Sequence, residues 1–341
     1  MDSADWSRLP SEVLELVAPL LEEHLPVARL ACKYWASELP RGTLRLLVTG
    51  AGPPDWGTRL FTGLRRLCWS NPQILHCAPW RSLRSLTLSN ASDTDAALRL
   101  LFDSSPPFLT YLDVRSSNVT DAGLVGAPPS LTHIDLDGCD GITDAALANL
   151  GHVKSLDLSF CRNLNGSGLG QLRSVTYLDV SEVKISNWQG LATLTSLTML
   201  NAAGVNTGLP SLGESLATVS SFTELLIGGT RDLSPVLKHL HSLHTLTLYR
   251  TRLSDESLLG LHSLKSLKVK DCGFAGYGFL ASLTSLQNLE LWQCYGVYSD
   301  DIIQIIAPVP HLVSLIICNN YISNAGVARI RQARPALRIN W

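Results

Sequence analysis

Four aspartates recur at one fixed spacing, and they are the residues best placed to act together. Asp113, Asp135, Asp157 and Asp179 each stand beside leucines in a short apolar segment, and each follows the previous one by 22 residues. Carboxylates aligned in this way can steer a cationic partner and fix its register through charge complementarity. The pattern therefore predicts a column of acids on one surface.

Residues that would support catalysis or hold a metal are not arranged for either task. The glycine-rich segment 273–279 does not fit the phosphate-loop or dinucleotide fingerprints. The histidines His239, His241 and His244 cluster without a carboxylate or cysteine placed to complete a metal site. None of the eight cysteines stands in a C-x-x-C pair, and no nucleophile or metalloprotease motif is found. We therefore expect a protein that is not an enzyme and that uses no cofactor and no metal.

Composition limits the partners and the compartment. The chain has 341 residues, of which 16% are charged, and a formal net charge of −2. This balance gives no reason to expect nucleic acid or an anionic membrane as a partner. The first residues lack the basic and apolar regions of a signal peptide, and no run of 18 apolar residues occurs. We expect a cytoplasmic or nuclear protein with reduced cysteines, and a cytoskeletal or axonemal location stays open.

A repeat of the form L-x-x-L-x-L positions the aspartates. Its last two apolar residues alternate with exposed positions, which predicts a short strand with one buried face. Such a strand cannot bury its apolar side alone, so stacked repeats must share a continuous core. A degenerate unit near Thr43 and a terminal one around Ile339 close the series. The complete units begin at Leu64, Leu83, Leu109, Leu131, Val153, Val175, Leu197, Phe222, Leu243, Leu264, Leu286 and Leu312.

A second signature follows several strands. Segments such as "VTDAGL" (119–124), "ITDAAL" (142–147), "LSDESL" (253–258) and "ISNAGV" (322–327) place Thr or Ser where it can cap a short helix. Repeats starting at Val175, Leu197 and Phe222 lack clear caps, so irregular segments are expected there, above all over 206–221. Four cysteines stand three residues after the third apolar position, where a small buried side chain is needed: Cys139, Cys161, Cys272 and Cys294.

Together these features resemble the cysteine-containing subclass of leucine-rich repeats. The resemblance implies an α/β solenoid in which a parallel sheet lines a concave face and short helices line a convex face. The repeat domain would cover residues 43–341.

Residues 1–42 do not follow the repeat and read as helices. An opening Leu9-Pro10, an acid at Glu12, a ladder of aliphatic residues and the ending "ACKYW" (31–35) resemble the F-box. By that resemblance the segment would bind a Skp-type adaptor of a cullin ubiquitin ligase. The adaptor-binding residues would be Leu9, Pro10, Leu14, Val17 and Trp35.

An alternative for this segment stays open. Pro19 lies inside the first expected helix, where it would cost about 3 kcal/mol unless the helix ends or kinks. Any solenoid also needs an element that covers its first strand. Residues 1–42 would then only cap the repeats, and the protein would be a scaffold or structural interaction protein.

Alternation assigns the predicted binding residues to the concave face. The first part of that face is acidic and suits a protein substrate with a basic segment, whereas the later part combines aromatic residues with lysines. Asp between strand leucines is common in leucine-rich repeats, so a generic surface is the alternative. The candidate residues are Tyr111, Asp113, Asp135, Asp137, Asp157, Tyr177, Asp179, Tyr249, Lys268, Lys270 and Trp292.

Overall fold

The structure is a computed structural model of the chain. It describes the backbone of strands 45–48 and 66–69, and residues 82–88, 93–205, 207–230, 233–254, 256–295, 297, 302–320 and 322–341. The F-box-like segment 1–42 lies outside the described residues. So do all five of its predicted adaptor-binding residues, Leu9, Pro10, Leu14, Val17 and Trp35.

The chain divides into two compact units, Met1–Asn163 and Leu164–Trp341. In the first unit the strands pair side by side in chain order, and every pairing is parallel. The strands include the degenerate unit expected near Thr43. They are β1 (Arg45–Val48), β2 (Arg66–Trp69), β3 (Ser85–Thr87), β4 (Tyr111–Asp113), β5 (His133–Asp135) and β6 (Ser155–Asp157).

The second unit continues the same architecture. Its strands are β7 (Tyr177–Asp179), β8 (Met199–Ala203), β9 (Glu224–Gly228), β10 (Thr245–Tyr249), β11 (Arg252–Leu253), β12 (Ser266–Lys270), β13 (Gly273–Phe274), β14 (Asn288–Trp292), β15 (Ser314–Cys318) and β16 (Arg338–Asn340). All pair parallel in chain order except that β11 and β13 form a small sheet of their own. The parallel sheet expected from the repeat is confirmed within each unit.

Alternation along each strand separates an apolar core from an open sheet face. Leu156 and Leu158 are fully buried, whereas Asp157 between them is partly exposed. The term open sheet face is used below for the strand side chains that point away from the core. Because repeats stack in register, equivalent positions of neighbouring strands form rows on this face.

Helical segments connect the strands. Those of the first unit are α1 (Thr94–Asp103) and the 3-10 turns Asp121–Leu124 and Ala146–Asn149. Those of the second are α2 (Leu209–Ala217), α3 (Ser234–Leu237), α4 (Ile302–Ile306) and α5 (Asn324–Ala333), with 3-10 turns at Leu169–Gln171, Gln189–Thr193 and Gly278–Ser282. The prediction of short helices is confirmed. No helix among the described residues is long and apolar enough to cross a membrane.

The predicted helix caps are confirmed at two sites. The hydroxyls of Thr120 and Ser323 accept backbone amides at the first turns of their helices. At 142–147 the helix starts later than expected, with Ala145 as its cap residue. The helix expected at 253–258 is wrong, because residues 256–258 form turns. The hydrogen bond there runs from the Ser254 amide to the Ser257 hydroxyl, at 2.8 Å.

The expectation of an irregular segment over 206–221 is also wrong, because α2 occupies most of it. Gly208 is the residue that precedes the helix and has a φ of 64°, and a proline in the first turn has its φ fixed near the helical value. Leu212 and Leu216 then bury the apolar side of the helix. Glycine and proline start this helix without the side-chain cap on which the sequence argument relied.

An aspartate–threonine clasp joins successive repeats of the first unit behind the sheet. The two carboxylate oxygens of Asp121 accept the Thr143 amide at 2.8 Å and the Thr143 hydroxyl at 2.6 Å. Asp95 holds Thr120 in the same way, at 2.8 and 2.6 Å. Each threonine hydroxyl in turn accepts an amide two residues on. The repeated T-D pair thus fixes the spacing of neighbouring repeats as well as the start of a helical turn.

Candidate functional site

Three aspartates of the first unit form a row on the open sheet face, called here the acidic row. Asp113 is in register with Asp135, and Asp135 with Asp157. Neighbouring parallel strands lie about 4.8 Å apart, so each carboxylate has another as its lateral neighbour. Asp113 is nonetheless only 7% exposed. The predicted column exists in this unit, but its side chains are less open than alternation suggested.

Each carboxylate of the acidic row also closes the turn that ends its strand. Asp113 accepts the amide of Arg115 at 3.2 Å, and Asp157 accepts that of Ser159 at 2.9 Å. Asp135 accepts the amide of Asp137 at 3.1 Å. Such Asx turns satisfy an amide that would otherwise lose its partner where the ladder stops. This structural role was not foreseen from the sequence, although an acid at a strand end before a turn is a recognisable signal.

Arg115 joins two members of the acidic row. Its Nε lies 3.0 Å from Asp113 Oδ1, and its Nη2 lies 2.7 Å from Asp135 Oδ2. The Arg115 side chain is 46% exposed, so solvent screens both ion pairs. Arg115 therefore compensates the carboxylates of Asp113 and Asp135 in part.

A further carboxylate, that of Asp137, lies beside the Asp157 end of the row. The hydroxyl of Ser159 lies 3.0 Å from an oxygen of Asp137 and 2.5 Å from one of Asp157. A hydroxyl carries one proton, so at any moment it can donate fully to only one of them. Asp137 thus extends the negative surface beyond the row itself.

Burial and like charge shift the pKa values of Asp135 and Tyr111. The pKa of Asp135 is raised, first because burial penalises its charged form and then because Asp157 and Asp113 repel it. The amide of Asp137 and the Arg115 cation act in the opposite direction. Burial and the nearby carboxylates also raise the pKa of Tyr111. Asp135 and Tyr111 therefore hold their protons more tightly than the same side chains do in water.

In the second unit, Asp179 is enclosed by donors. It accepts hydrogen bonds from the Ser181 amide at 2.9 Å, the Ser181 hydroxyl at 2.7 Å and the Asn201 amide group at 2.6 Å. The hydroxyl of Tyr177 adds a longer contact at 3.3 Å. With 7% exposure, Asp179 organises its own strand end and offers little surface to a partner.

The aromatic residues and lysines predicted further along the chain do come together. They form a cationic patch, defined as Tyr249, Arg250, Lys268, Lys270 and Trp292. Tyr249, Lys270 and Trp292 are in register on neighbouring strands. Arg250 was not among the predicted binding residues, yet its guanidinium carbon lies 4.8 Å from the Tyr249 ring centroid. The structure therefore adds Arg250, which directly follows β10, to the predicted residues of this patch.

A left-handed turn residue stands three positions after Asp113 and after each equivalent strand position from there to Ile316, and it was also missed. The φ of this residue lies between 45° and 78°. Glycine occupies it at 138, 204 and 229 only. The other occupants are Ser116, Phe160, Glu182, Arg250, Asp271, Gln293 and Asn319. A left-handed conformation costs a residue other than glycine about 1–2 kcal/mol, so these turns are held at a conformational cost.

The cysteines of the repeat pack as predicted. Cys139 and Cys161 are fully buried, and their thiols donate to the carbonyls of Val114 and Leu136 at 3.1 and 3.2 Å. Burial raises the pKa of Cys161 to about 12. Within the ranges that the structure describes, no group of three or more His, Cys, Asp or Glu side chains is placed to hold a metal ion.

Comparison with known proteins agrees with the repeat architecture. The family model described as "Leucine Rich repeat" matches residues 105–126 and 127–151, which contain β4 and β5. This match and the parallel strands that recur with the repeat define a leucine-rich-repeat fold. Proteins of this class typically serve as scaffolds for protein–protein interaction. No curated protein matches the sequence as a relative.

Solved structures with a similar chain trace include two bacterial proteins. An internalin (InlF) from Listeria monocytogenes is 24% identical, with 76% of this chain and 74% of that chain covered at a TM-score of 0.46. A leucine-rich-repeat protein from Leptospira interrogans is 16% identical, with 92% of this chain and 100% of that chain covered at a TM-score of 0.45.

Proposed function

We propose that this protein is a non-catalytic recognition protein that uses the open sheet face of its repeats to bind a protein partner with a basic segment. The observation that carries the proposal is the acidic row with Asp137 beside it, four neighbouring carboxylates of which Arg115 bridges two, Asp113 and Asp135. Its function would be to hold a substrate, while the N-terminal segment connects that substrate to a ubiquitin ligase.

The energetics of the acidic row favour a cationic partner. Two carboxylates about 5 Å apart repel by ~0.8 kcal/mol in bulk water and by ~3 kcal/mol at an effective dielectric of 20. Screening on an open face reduces this to at most about 1 kcal/mol per neighbouring pair. The Asx turns recover part of that cost, and a bound Lys or Arg would remove the repulsion while fixing the register of the partner.

The row can be tested without disturbing its turns. In the second unit Asn201 accepts the amide of Ala203 at 3.1 Å, so an asparagine oxygen closes the same turn without charge. Asp135→Asn/Asp157→Asn should therefore keep the fold and weaken binding of a fluorescein-labelled peptide of alternating Lys and Ser by about tenfold or more. Asp140→Asn removes an exposed carboxylate of the same unit outside the row and is the matched control. Equal affinity of the double variant and the control for the peptide would show that the acidic row closes turns but does not bind a basic partner.

Residues 1–42 are proposed to act as an F-box that docks on a Skp-type adaptor, making the protein a substrate receptor of a cullin ubiquitin ligase. Leu9, Pro10, Leu14 and Val17 would contact the adaptor, and Trp35 would close the small helical core. The proposal draws on the F-box-like sequence of this segment alone. The alternative is a scaffold, for example on the cytoskeleton or axoneme, in which residues 1–42 only cap the repeats.

Co-purification with the adaptor separates these two roles. The wild-type protein should retain a Skp-type adaptor through size-exclusion chromatography, and Leu9→Ala/Pro10→Ala should lose it while keeping the thermal unfolding of the repeats. No adaptor binding by the wild type would favour the scaffold. Binding that survives the double substitution would place the adaptor interface outside Leu9 and Pro10.

A further inference from the structure

The cationic patch of the second unit shows how a carboxylate is held on its surface. Lys268 Nζ lies 3.1 Å from Glu290 Oε1, and the indole N–H of Trp292 donates to Glu290 Oε2 at 3.3 Å. One carboxylate thus engages a lysine and a tryptophan together. Glu290 neutralises Lys268 and leaves the rest of the patch uncompensated.

Two further cations of the patch have no such partner. Arg250 and Lys270 both lie within 6 Å of the Tyr249 ring centroid, at 4.8 and 5.9 Å. Among the described residues, neither has a carboxylate within ion-pair distance. Both are exposed, and Trp292 beside them is 37% exposed. Unpaired positive charge and aromatic surface therefore meet at one place on the open sheet face.

The chemistry of this place fits a short acidic peptide better than a nucleic acid. Aromatic and arginine side chains are the usual anchors of protein interfaces. A nucleic-acid strand would need a longer track of cations for its phosphates. Here Glu290 lies within the strand rows and Asp271 directly follows Lys270, so acidic groups interrupt any such track.

We infer that the cationic patch binds an acidic, Asp- or Glu-rich segment of a partner protein. Ligand carboxylates pair with Arg250 and Lys270, while Tyr249 and Trp292 pack against the peptide on either side of Lys270. The inference rests on the proposed recognition function and gives it a second contact of opposite polarity. A partner that carries both a basic and an acidic segment would then be distinguished from one that carries only one of them.

Fluorescence anisotropy with a labelled peptide of alternating Glu and Ser tests the inference on the full chain. The peptide should bind the wild-type protein, and Arg250→Gly/Lys270→Gln should weaken binding by about tenfold or more. Glycine suits the φ of 45° at position 250, so this variant keeps the turn. Lys184→Gln removes an exposed lysine of the same unit from outside the patch and should leave the affinity unchanged. Trp292→Ala should weaken binding without a change of charge.

Three results would overturn the inference. These are equal affinity of the double variant and Lys184→Gln, tighter binding of a single-stranded oligonucleotide than of the Glu peptide, and binding only when the peptide serines are phosphorylated. Asp135→Asn/Asp157→Asn should bind the Glu peptide as the wild type does, because its substitutions remove no side chain of the cationic patch. This variant therefore distinguishes a failure of the proposal for the acidic row from a failure of the inference about the cationic patch.

Discussion

The contribution of the clasp between Asp121 and Thr143 to the stability of the repeats can be tested quantitatively. Replacing Asp121 with Ala removes both hydrogen bonds to Thr143, at 2.8 and 2.6 Å. Hydrogen bonds to a charged group contribute about 1.5–3 kcal/mol each. Both residues are partly exposed, so the lower end of that range applies and the loss should be about 3 kcal/mol for Asp121→Ala.

Asp121→Asn should lose about half as much. Its remaining oxygen can still accept the Thr143 amide, but the bond is no longer assisted by charge. Urea denaturation followed by circular dichroism gives the free energy of unfolding for both variants. Asp140→Ala is the control, because its exposed carboxylate has one ion-pair contact in the described part of the chain, at 4.0 Å with Arg162. A loss below about 0.5 kcal/mol for Asp121→Ala, the size of an ordinary surface substitution, would refute the clasp as a source of stability.

Three other predictions follow from the turns, the thiols and the acidic row. Gln293→Gly should raise the free energy of unfolding by about 0.5–1 kcal/mol, because glycine relieves a left-handed strain of about 1–2 kcal/mol and loses part of that gain to backbone entropy. Gln293→Ala should bring no such gain, and thermal unfolding of the two variants measures the difference. Cys161 should resist alkylation in the native protein while the partly exposed Cys318 reacts, and site-resolved mass spectrometry would show the difference. Burial raises the pKa of Cys161 to about 12. The contribution of its neutral thiol to the free energy of unfolding is therefore complete below the ordinary thiol pKa and is lost as the pH rises towards 12. Arg115→Gln should raise the pKa of Asp135 further, because the cation that opposes its protonation is removed. NMR titration of the Asp135 carboxyl carbon measures this pKa, and an unchanged value would contradict the bridging role of Arg115.

The rows of the sheet could be predicted from the sequence because the repeat fixes which residues face one another. Leucines at period 2 bury one face, and the 22-residue spacing aligns Asp113, Asp135 and Asp157 once the strands are parallel. Lys270 and Trp292 were likewise expected together. These features depend only on the number of residues between equivalent positions, which the sequence contains in full.

The orientation of side chains within a row could not be predicted in the same way. Alternation shows that Asp179 faces outward, but its enclosure by Ser181 and Asn201 depends on the path of the chain after the strand. Phe160 and Arg250 adopt a left-handed conformation that their residue types do not signal, since glycine or asparagine would be expected there. Helix α2 was missed because its start uses Gly208 and a proline rather than a side-chain cap.

Binding of the alternating Lys/Ser peptide at increasing salt concentration tests the central claim of recognition by the acidic row most directly. The account predicts that the affinity of the wild-type protein falls steeply with salt, because exposed charges are screened within about 10 Å at 0.1 M. Asp135→Asn/Asp157→Asn should start weaker and respond less, while Asp140→Asn should follow the wild type. The same salt dependence in all three proteins would contradict recognition by the acidic row.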